Sequence, residues 1–349
     1  MEDRPEGVTE SALVTALADG WGVTVRSVGY LPVGAGSYHW AARVGAPDSP
    51  PRAGDPLPGA DAPSARPGAS AVPGAEGPTL FVTVDDLGHD DPDAAFGRLG
   101  LAMDTAVALR RDADLGFVVA PVPARTGSTV WRLSGRYAVA VFPLLDGRAG
   151  RFGPHPAEDR AEVLGLLAAL HAATPLVTPP PADRELPGRD RLADALRHLD
   201  RAWTGGPYAE RTRALLAARA DHVTRLLGEL DRLAGQVLGA PDRWVVTHGE
   251  PHPGNVLRTA AGPHLIDWDT VRLGPPERDL WLVTDDADLL AGYTRATGRA
   301  VDPAGLALYR LWWELADIAV YVDGFRRPHR DSADSAASWK YLTSYLDAS

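Results

Sequence analysis

Residues 245–257 read VVTHGEPHPGNVL, and residues 263–280 read PHLIDWDTVRLGPPERDL. Behind its apolar run, the first stretch gathers two histidines, a glutamate and an asparagine into the positions 248–255. His248 and His252 stand four apart, the spacing that would put two imidazoles on one helix face around a metal. Gly249, Pro251, Pro253 and Gly254 exclude that helix, because proline lacks the N–H and its ring clashes with the preceding turn. Glu250 also fails to follow the first histidine directly, so the zinc-protease order is missing. A rigid loop leaving a strand remains, either working on a ligand or serving as a turn.

A loop that handles phosphate needs a carboxylate just after a strand, an asparagine five positions on to hold Mg²⁺, and a second carboxylate at a following strand end. Glu250, Asn255 and Asp267 supply the three in that order. The metal neutralises the charge of the transferred phosphoryl group, while the first carboxylate aligns the acceptor hydroxyl opposite the leaving group.

With these residues in place, the chain resembles the aminoglycoside phosphotransferase family, whose pattern is H-G-D, four residues, N, then I-D-W or I-D-F, then G-x-P-x-x-D-L. Matches fall at His248, Gly249, Asn255, Ile266, Asp267, Trp268, Gly274, Pro276, Asp279 and Leu280. The resemblance implies an α+β, bilobal, protein-kinase-like fold with a small β-rich N-lobe and a larger helical C-lobe. It implies ATP and Mg²⁺ as cofactors, Glu250 as the catalytic base, and Asn255 and Asp267 as metal ligands. His248 and Asp279 are expected to brace the loop through hydrogen bonds. His252 reads as a packed or capping residue, and Asp269 either approaches a second metal or lies on a solvated turn.

The resemblance also implies nucleotide contacts on the front third. A glycine turn, Gly34-Ala35-Gly36 followed by Ser37, would cover phosphates, although any tight hairpin can use such glycines. Adenine would lie between the lobes under Phe81, its edge read by backbone groups from Phe142 through Leu144 to Leu145.

Two departures matter. Glutamate replaces the family's aspartate, and its extra methylene moves the carboxylate by about 1 to 1.5 Å, a misplacement that can cost roughly 100-fold unless the loop has adapted. The second is larger. Kinase-like folds place a lysine on the third strand, paired with a glutamate on the next helix. In LFVTVDDL, Thr83 falls at that position, the only lysine in the chain is Lys340, and the helix expected over 92–112 has no glutamate. Arg43 and His39 are substitutes by location only.

Around these motifs the pattern is β-rich first and helical afterwards, changing near Asp146, with lobes expected over 1–145 and 146–349. Helices are expected over 9–19, behind a Thr9 or Ser11 cap, and over 92–112, 156–173, 189–203, 207–236, 303–323 and 333–347. Strands are expected over 23–32, 37–44, from 79, 117–123, 128–133 and 136–143. Residues 45–78 are almost wholly Pro, Gly, Ala, Asp and Ser and read as a disordered insertion between adjacent strands.

Composition narrows the function further. With no cysteine, the chain has no disulfide, thiolate nucleophile or cysteine-ligated metal. A net charge of −11 argues against nucleic acid as a partner. No run reads as a membrane span or a signal peptide, so a cytoplasmic location is the default expectation. The expected partner is a small-molecule hydroxyl acceptor, an aminoglycoside-like antibiotic or a metabolite alcohol. Its pocket is expected on the segment 309–325, where Trp312, Glu314, Asp317 and Tyr321 stand on successive turns. The rival expectation is a pseudokinase-like binding protein, motivated by Thr83 and Glu250. Oligomeric state has no signature in the sequence.

Overall fold

A computed structural model of the chain describes residues 1–34, 36–45, 79–88 and 90–347. Ala35 of the glycine turn, and the expected disordered insertion apart from Gly45, lie outside the described residues. The chain forms two units, one of Arg4–Phe96 and Pro121–Leu144, the other of Met1–Asp3, Gly97–Ala120 and Leu145–Ser349.

The first unit opens with α1 (Glu10–Trp21), capped by the Thr9 hydroxyl, which accepts the Ala12 N–H. There follow β1 (Val25–Leu31), β2 (Ser37–Val44), β3 (Thr79–Asp86), α2 (Pro92–Arg111), β4 (Trp131–Arg132) and β5 (Tyr137–Pro143). The strands make one antiparallel sheet in the order β1-β2-β3-β5-β4. Directly opposed residues of an antiparallel sheet share a face. Trp40, Val82 and Val141 lie in register, as do Tyr38, Val84 and Val139, and this face packs with Leu13 and Leu17 of α1 into the unit's core. The other face of the same strands carries the residues expected to meet a nucleotide.

The second unit begins with the greater part of α2 and continues with β6 (Gly147–Ala149), α3 (Ala157–Ala172), α4 (Arg189–Arg197), α5 (Ala209–Ala218) and α6 (Ala220–Val237). Then come β7 (Val245–Thr247), β8 (Val256–Thr259), β9 (Gly262–Leu265), β10 (Arg272–Gly274), α7 (Glu277–Leu280), α8 (Ala287–Thr297), α9 (Pro303–Arg326) and α10 (Ala333–Asp347). Two cores form it. Ala102, Ala106 and Leu109 of α2 join Leu167 and Leu170 of α3 around Val246, Val256, Leu265 and Trp268. Helices α4, α5, α6, α9 and α10 build the other around Leu230, Leu308, Leu315 and Leu342.

The α+β class holds, with local corrections. The helix expected over 207–236 is two helices, parted at Arg219, whose φ of −118° leaves the helical region. Residues 117–123 form no strand of their own; Val118 makes a single parallel bridge to Leu265, and Val119 donates to the Leu265 carbonyl. Short apolar runs do not reveal whether a neighbouring strand edge is available, which decides such segments. Residues 97–120, which precede the change of character near Asp146, pack with the helical unit.

Candidate active site

Strand β7 delivers the chain into the loop, and one buried carboxylate holds the entry. Asp279, at the end of α7's first turn, accepts the backbone N–H of His248 at 2.9 Å on Oδ2 and of Gly249 at 2.6 Å on Oδ1. Its Oδ2 also meets His171 Nε2 at 3.0 Å, and His171 Nδ1 meets the Tyr293 hydroxyl at 2.6 Å. Burial alone would raise the Asp279 carboxyl, but the hydrogen bond from His171, helped by the Arg278 guanidinium, holds it below the ordinary value. Asp279 therefore braces the loop as an anion.

His248 is the second brace. Its Nε2 lies 2.9 Å from the Ile266 carbonyl and its Nδ1 accepts the Glu250 N–H at 3.3 Å, so Nε2 carries the proton. Burial pushes its pKa down to about 4, so the ring is neutral. With both nitrogens engaged, His248 has no lone pair for a metal. His252 caps the short turn Pro253–Asn255 by accepting the Gly254 N–H at 3.1 Å, and burial first, then its histidine neighbours, lower its pKa to about 4. Neither histidine suits a zinc site. Among the described residues no group of three or more His, Asp or Glu side chains is arranged to hold a metal ion.

Hydrogen bonds tie Glu250 and Asn255 to the residue that precedes Asp267. Asn255 donates Nδ2 to the Glu250 carbonyl at 3.0 Å, and its own carbonyl accepts the Ile266 N–H at 3.1 Å. Ile266 is thus held at its N–H by Asn255 and at its carbonyl by His248, directly before Asp267. A carbonyl can only accept, so the Asn255 amide presents nitrogen to Glu250 and turns its oxygen away. Asp267 is exposed and has φ +69°, one of two non-glycine residues in the left-handed region among those described. Such strain in an L-residue persists where surrounding contacts fix it, and it gathers at functional sites. An amide oxygen and a carboxylate are hard donors of the kind Mg²⁺ takes from protein, the remaining positions going to water and phosphate. These residues fit a magnesium ion and do not fit zinc.

Glu250 is partly buried, and its pKa is pushed up to about 7, chiefly by burial and then by the Asp269 carboxylate. Arg278 opposes the rise and Asp317 adds to it. Asp269, on a turn and half-buried, is also raised, chiefly by burial. Arg278 donates to the Thr247 hydroxyl and the Thr270 carbonyl, both at 2.8 Å, bridging the strand that enters the loop and the turn after Asp269. Sequence reasoning passed over Arg278 and His171. The place of Arg278 directly before Asp279 was an available signal; His171, far off on α3, had none.

Helix α9 contributes unevenly. Asp317 accepts the Tyr345 hydroxyl at 2.8 Å and acts on Glu250, whereas Glu314 has His222 as its ionisable neighbour. Trp312 packs on the helical core, and Tyr321 stacks on Tyr341. Trp313 stacks with Phe152 at 5.3 Å, and His252 meets both rings edge-on, making an aromatic wall in which Phe152 is 51% exposed.

On the sheet of the first unit, Ser37, Phe81, Thr83 and Phe142 share one face: Ser37 pairs with Asp85, Phe81 with Phe142, and Thr83 with His39 and Ala140. Gly34 and Gly36 have φ of +69° and +91°, which glycine adopts without penalty. Leu144 lies past the end of β5, donating its N–H to the Thr79 carbonyl at 3.3 Å. His39 is not a phosphate cation: its Nδ1 lies 2.9 Å from the Val33 carbonyl, its ring stacks on Phe81, and burial lowers its pKa.

The model of the phosphotransferase enzyme family matches residues 58–312. A protein named StrN from Streptomyces griseus is 35% identical over 249 residues, covering 66% of this chain and 72% of its own. A solved spectinomycin phosphotransferase in complex with ADP and spectinomycin superposes with a TM-score of 0.67 at 15% identity, covering 98% of both chains. A microcompartment-associated aminopropanol kinase gives 0.58 at 18% identity over 97% of this chain and 95% of its own. The fold is the kinase-like one that the motifs implied.

Proposed function

The chain belongs to the phosphotransferase enzyme family, and from that premise we propose that it transfers the γ-phosphoryl group of ATP, with Mg²⁺, to a hydroxyl of a small molecule. In this reading Glu250 accepts the proton of the acceptor hydroxyl as the new oxygen–phosphorus bond forms and the bond to ADP breaks. Asn255 and Asp267 hold the metal. Bound there, Mg²⁺ supplies charge neutralisation to the phosphates. Asp279, His248 and Arg278 keep the loop rigid, so that little reorganisation accompanies transfer.

The observation that carries the reading is the linkage from Glu250 through Asn255 to Ile266, which ties the loop bearing the proposed base and one proposed metal ligand to the residue before Asp267, the other proposed ligand. A base with a pKa near 7 is well placed for proton transfer at neutral pH. The neighbourhood of Glu250 also favours an acceptor that carries an amino group. Asp269 and Asp317 add negative charge there against one cation, Arg278, while His248 and His252 are neutral. The aromatic wall of Phe152 and Trp313 suits the apolar side of such a molecule and its cation. One structural neighbour is named for an amino alcohol and another for spectinomycin, which is consistent with this class.

Thr83 in place of a lysine favours a second reading, a nucleotide-binding protein without turnover. A transfer screen separates the two: labelled ATP, Mg²⁺, and a panel of aminoglycosides, other antibiotics and metabolite alcohols, with Glu250→Gln as control. Transfer that Glu250→Gln abolishes supports the proposal. Transfer that survives it removes Glu250 as the base, and stabilisation by Mg²⁺–ATP with no transfer to any acceptor supports the second reading.

A further inference from the structure

Two prolines stand in the candidate catalytic loop, and neither Pro251 nor Pro253 has an N–H to give. Such a stretch is held through its carbonyls. The Glu250 carbonyl is taken within the loop, by Asn255 Nδ2 at 3.0 Å and the His252 N–H at 2.8 Å. The carbonyls of both prolines are taken by one distant segment. Gly150 donates its N–H to Pro253 at 2.9 Å, and His155 places Nε2 2.7 Å from the Pro251 carbonyl. Glycine is what permits this approach, because a Cβ at position 150 would stand 2.7 Å from the Pro253 Cβ. Between the two ties, Phe152 sets its ring edge-on to His252 with centroids 5.0 Å apart.

His155 is 3% exposed, and the reaction outlined above gives this buried ring no task. Seating α3, which begins two residues later, is done by other groups. The Asp159 N–H closes on the Pro156 carbonyl at 3.0 Å, and Arg160 Nε donates to the backbone carbonyl of His155 at 3.1 Å. The ring itself turns to the loop. A carbonyl can only accept, so Nε2 carries the proton. Burial, chiefly, lowers the pKa of the ring, which is therefore a neutral donor at neutral pH. Its partner matters because Pro251 is buried and directly follows Glu250. A proline fixes its own φ and restricts the residue before it, so a hold on Pro251 is a hold on the Glu250 backbone.

We propose that His155 is a positioning residue for Glu250: through the Pro251 carbonyl it fixes where the proposed base stands as it takes the proton of the acceptor hydroxyl. The inference rests on the phosphotransferase reading above, with Glu250 as the base. It also divides the loop into two ends. Asn255 has a seat of its own, its N–H on the His252 carbonyl at 2.9 Å and its carbonyl under the Ile266 N–H at 3.1 Å. Cutting the His155 tie should therefore move the base and leave the metal end in place.

The test is steady-state transfer to the best acceptor of the screen above, for the wild-type chain, His155→Gln, His155→Asn and His155→Leu, with melting curves to show which variants are folded. A glutamine amide reaches about as far as Nε2 and can donate to the same carbonyl, an asparagine amide stops short of it, and leucine has no donor. His155→Gln should keep kcat. His155→Asn and His155→Leu should each lose about 100-fold in kcat, the cost of a reacting group displaced by about 1 Å, with KM for ATP unchanged. Rescue by glutamine and a loss confined to kcat are results that a merely structural histidine would not give. Equal kcat in all four chains, a fall in His155→Gln as deep as in His155→Leu, or a loss that falls on KM for ATP would overturn the proposal and leave Glu250 as the base. If His155→Leu does not fold, the contrast between His155→Asn and His155→Gln decides in the same way. No transfer by the wild-type chain to any acceptor would overturn the phosphotransferase reading, and the proposal with it.

Discussion

Asn255 gives its side-chain amide to the carbonyl of Glu250 at 3.0 Å, so the orientation of a proposed metal ligand is set by the backbone of the proposed base. Exchange of Asn255 for aspartate keeps a metal-ligating oxygen but sets a carboxylate against that carbonyl. Asn255→Asp should therefore lose about 10- to 100-fold in Mg²⁺ affinity, the range typical when support around a metal ligand is removed. Calorimetric titration of Mg²⁺ into the ATP complex measures it, and unchanged affinity would detach Asn255 from the metal.

Asp279 should be the most costly polar residue to alter. Asparagine offers one acceptor oxygen where the carboxylate now takes two backbone N–H groups and His171. At least one buried N–H loses its partner, so Asp279→Asn should destabilise the fold by about 2 to 4 kcal/mol in urea unfolding. A loss within about 0.5 kcal/mol, the range of neutral surface changes, would show that the loop entry is held otherwise.

Gly249 answers to two constraints. Its φ is +99°, and a Cβ there would stand 2.3 Å from Arg278 Nη1. Gly249→Ala should cost about 1 to 3 kcal/mol from the backbone conformation, with a further loss as the Arg278 guanidinium leaves Thr247 and Thr270. If the same substitution in an Arg278→Ala background costs as much, the guanidinium is not the obstacle.

His248 predicts how stability falls in acid. Its folded pKa, about 4, lies below the ordinary histidine value of 6.5, so above pH 6.5 the ring is neutral in both states and its contribution is complete. As the pH drops from 6.5 toward 4, the unfolded chain binds a proton that the folded one refuses. Stability is lost at about 1.4 kcal/mol per pH unit in that window. Unfolding free energies of the wild-type chain and His248→Asn between pH 7.5 and 4.5 should diverge in slope by about one proton; parallel slopes would show that His248 is not held neutral.

Glu250→Asp tests whether the loop has adapted to the longer side chain. Shortening by one methylene withdraws the carboxylate by about 1 to 1.5 Å and should lower kcat roughly 100-fold, with KM little changed. A rise in kcat would mean that the loop still has the geometry of an aspartate enzyme and that glutamate is a handicap.

The candidate catalytic loop was legible because its residues are close in sequence. His248, Glu250 and Asn255 lie within one turn-rich stretch whose prolines already exclude a helix, and Asp267 follows on the next strand end. What could not be read was support from distant segments: His171 reaches Asp279 across 108 residues, and no spacing rule links them. The sheet face was half legible. Alternation placed Phe81 and Thr83 together, and the same alternation places Asp85 with them, but no spacing rule reveals that Ser37 of the neighbouring strand donates to its carboxylate. Residues 117–123 misled because extended patterning does not reveal whether a strand partner stands beside it.

The central claim is that Asn255 and Asp267 hold the metal of a nucleotide complex beside Glu250, and anomalous scattering from a crystal grown with Mn²⁺ and a non-hydrolysable ATP analogue tests it most directly. The expected result is an ion about 2.0 to 2.2 Å from the Asn255 side-chain oxygen and an Asp267 carboxylate oxygen, lost in Asp267→Asn while the loop keeps its conformation, because asparagine also tolerates the left-handed backbone. An anomalous map in which the nucleotide's metal lies on other residues and leaves Asn255 and Asp267 without an ion would contradict it.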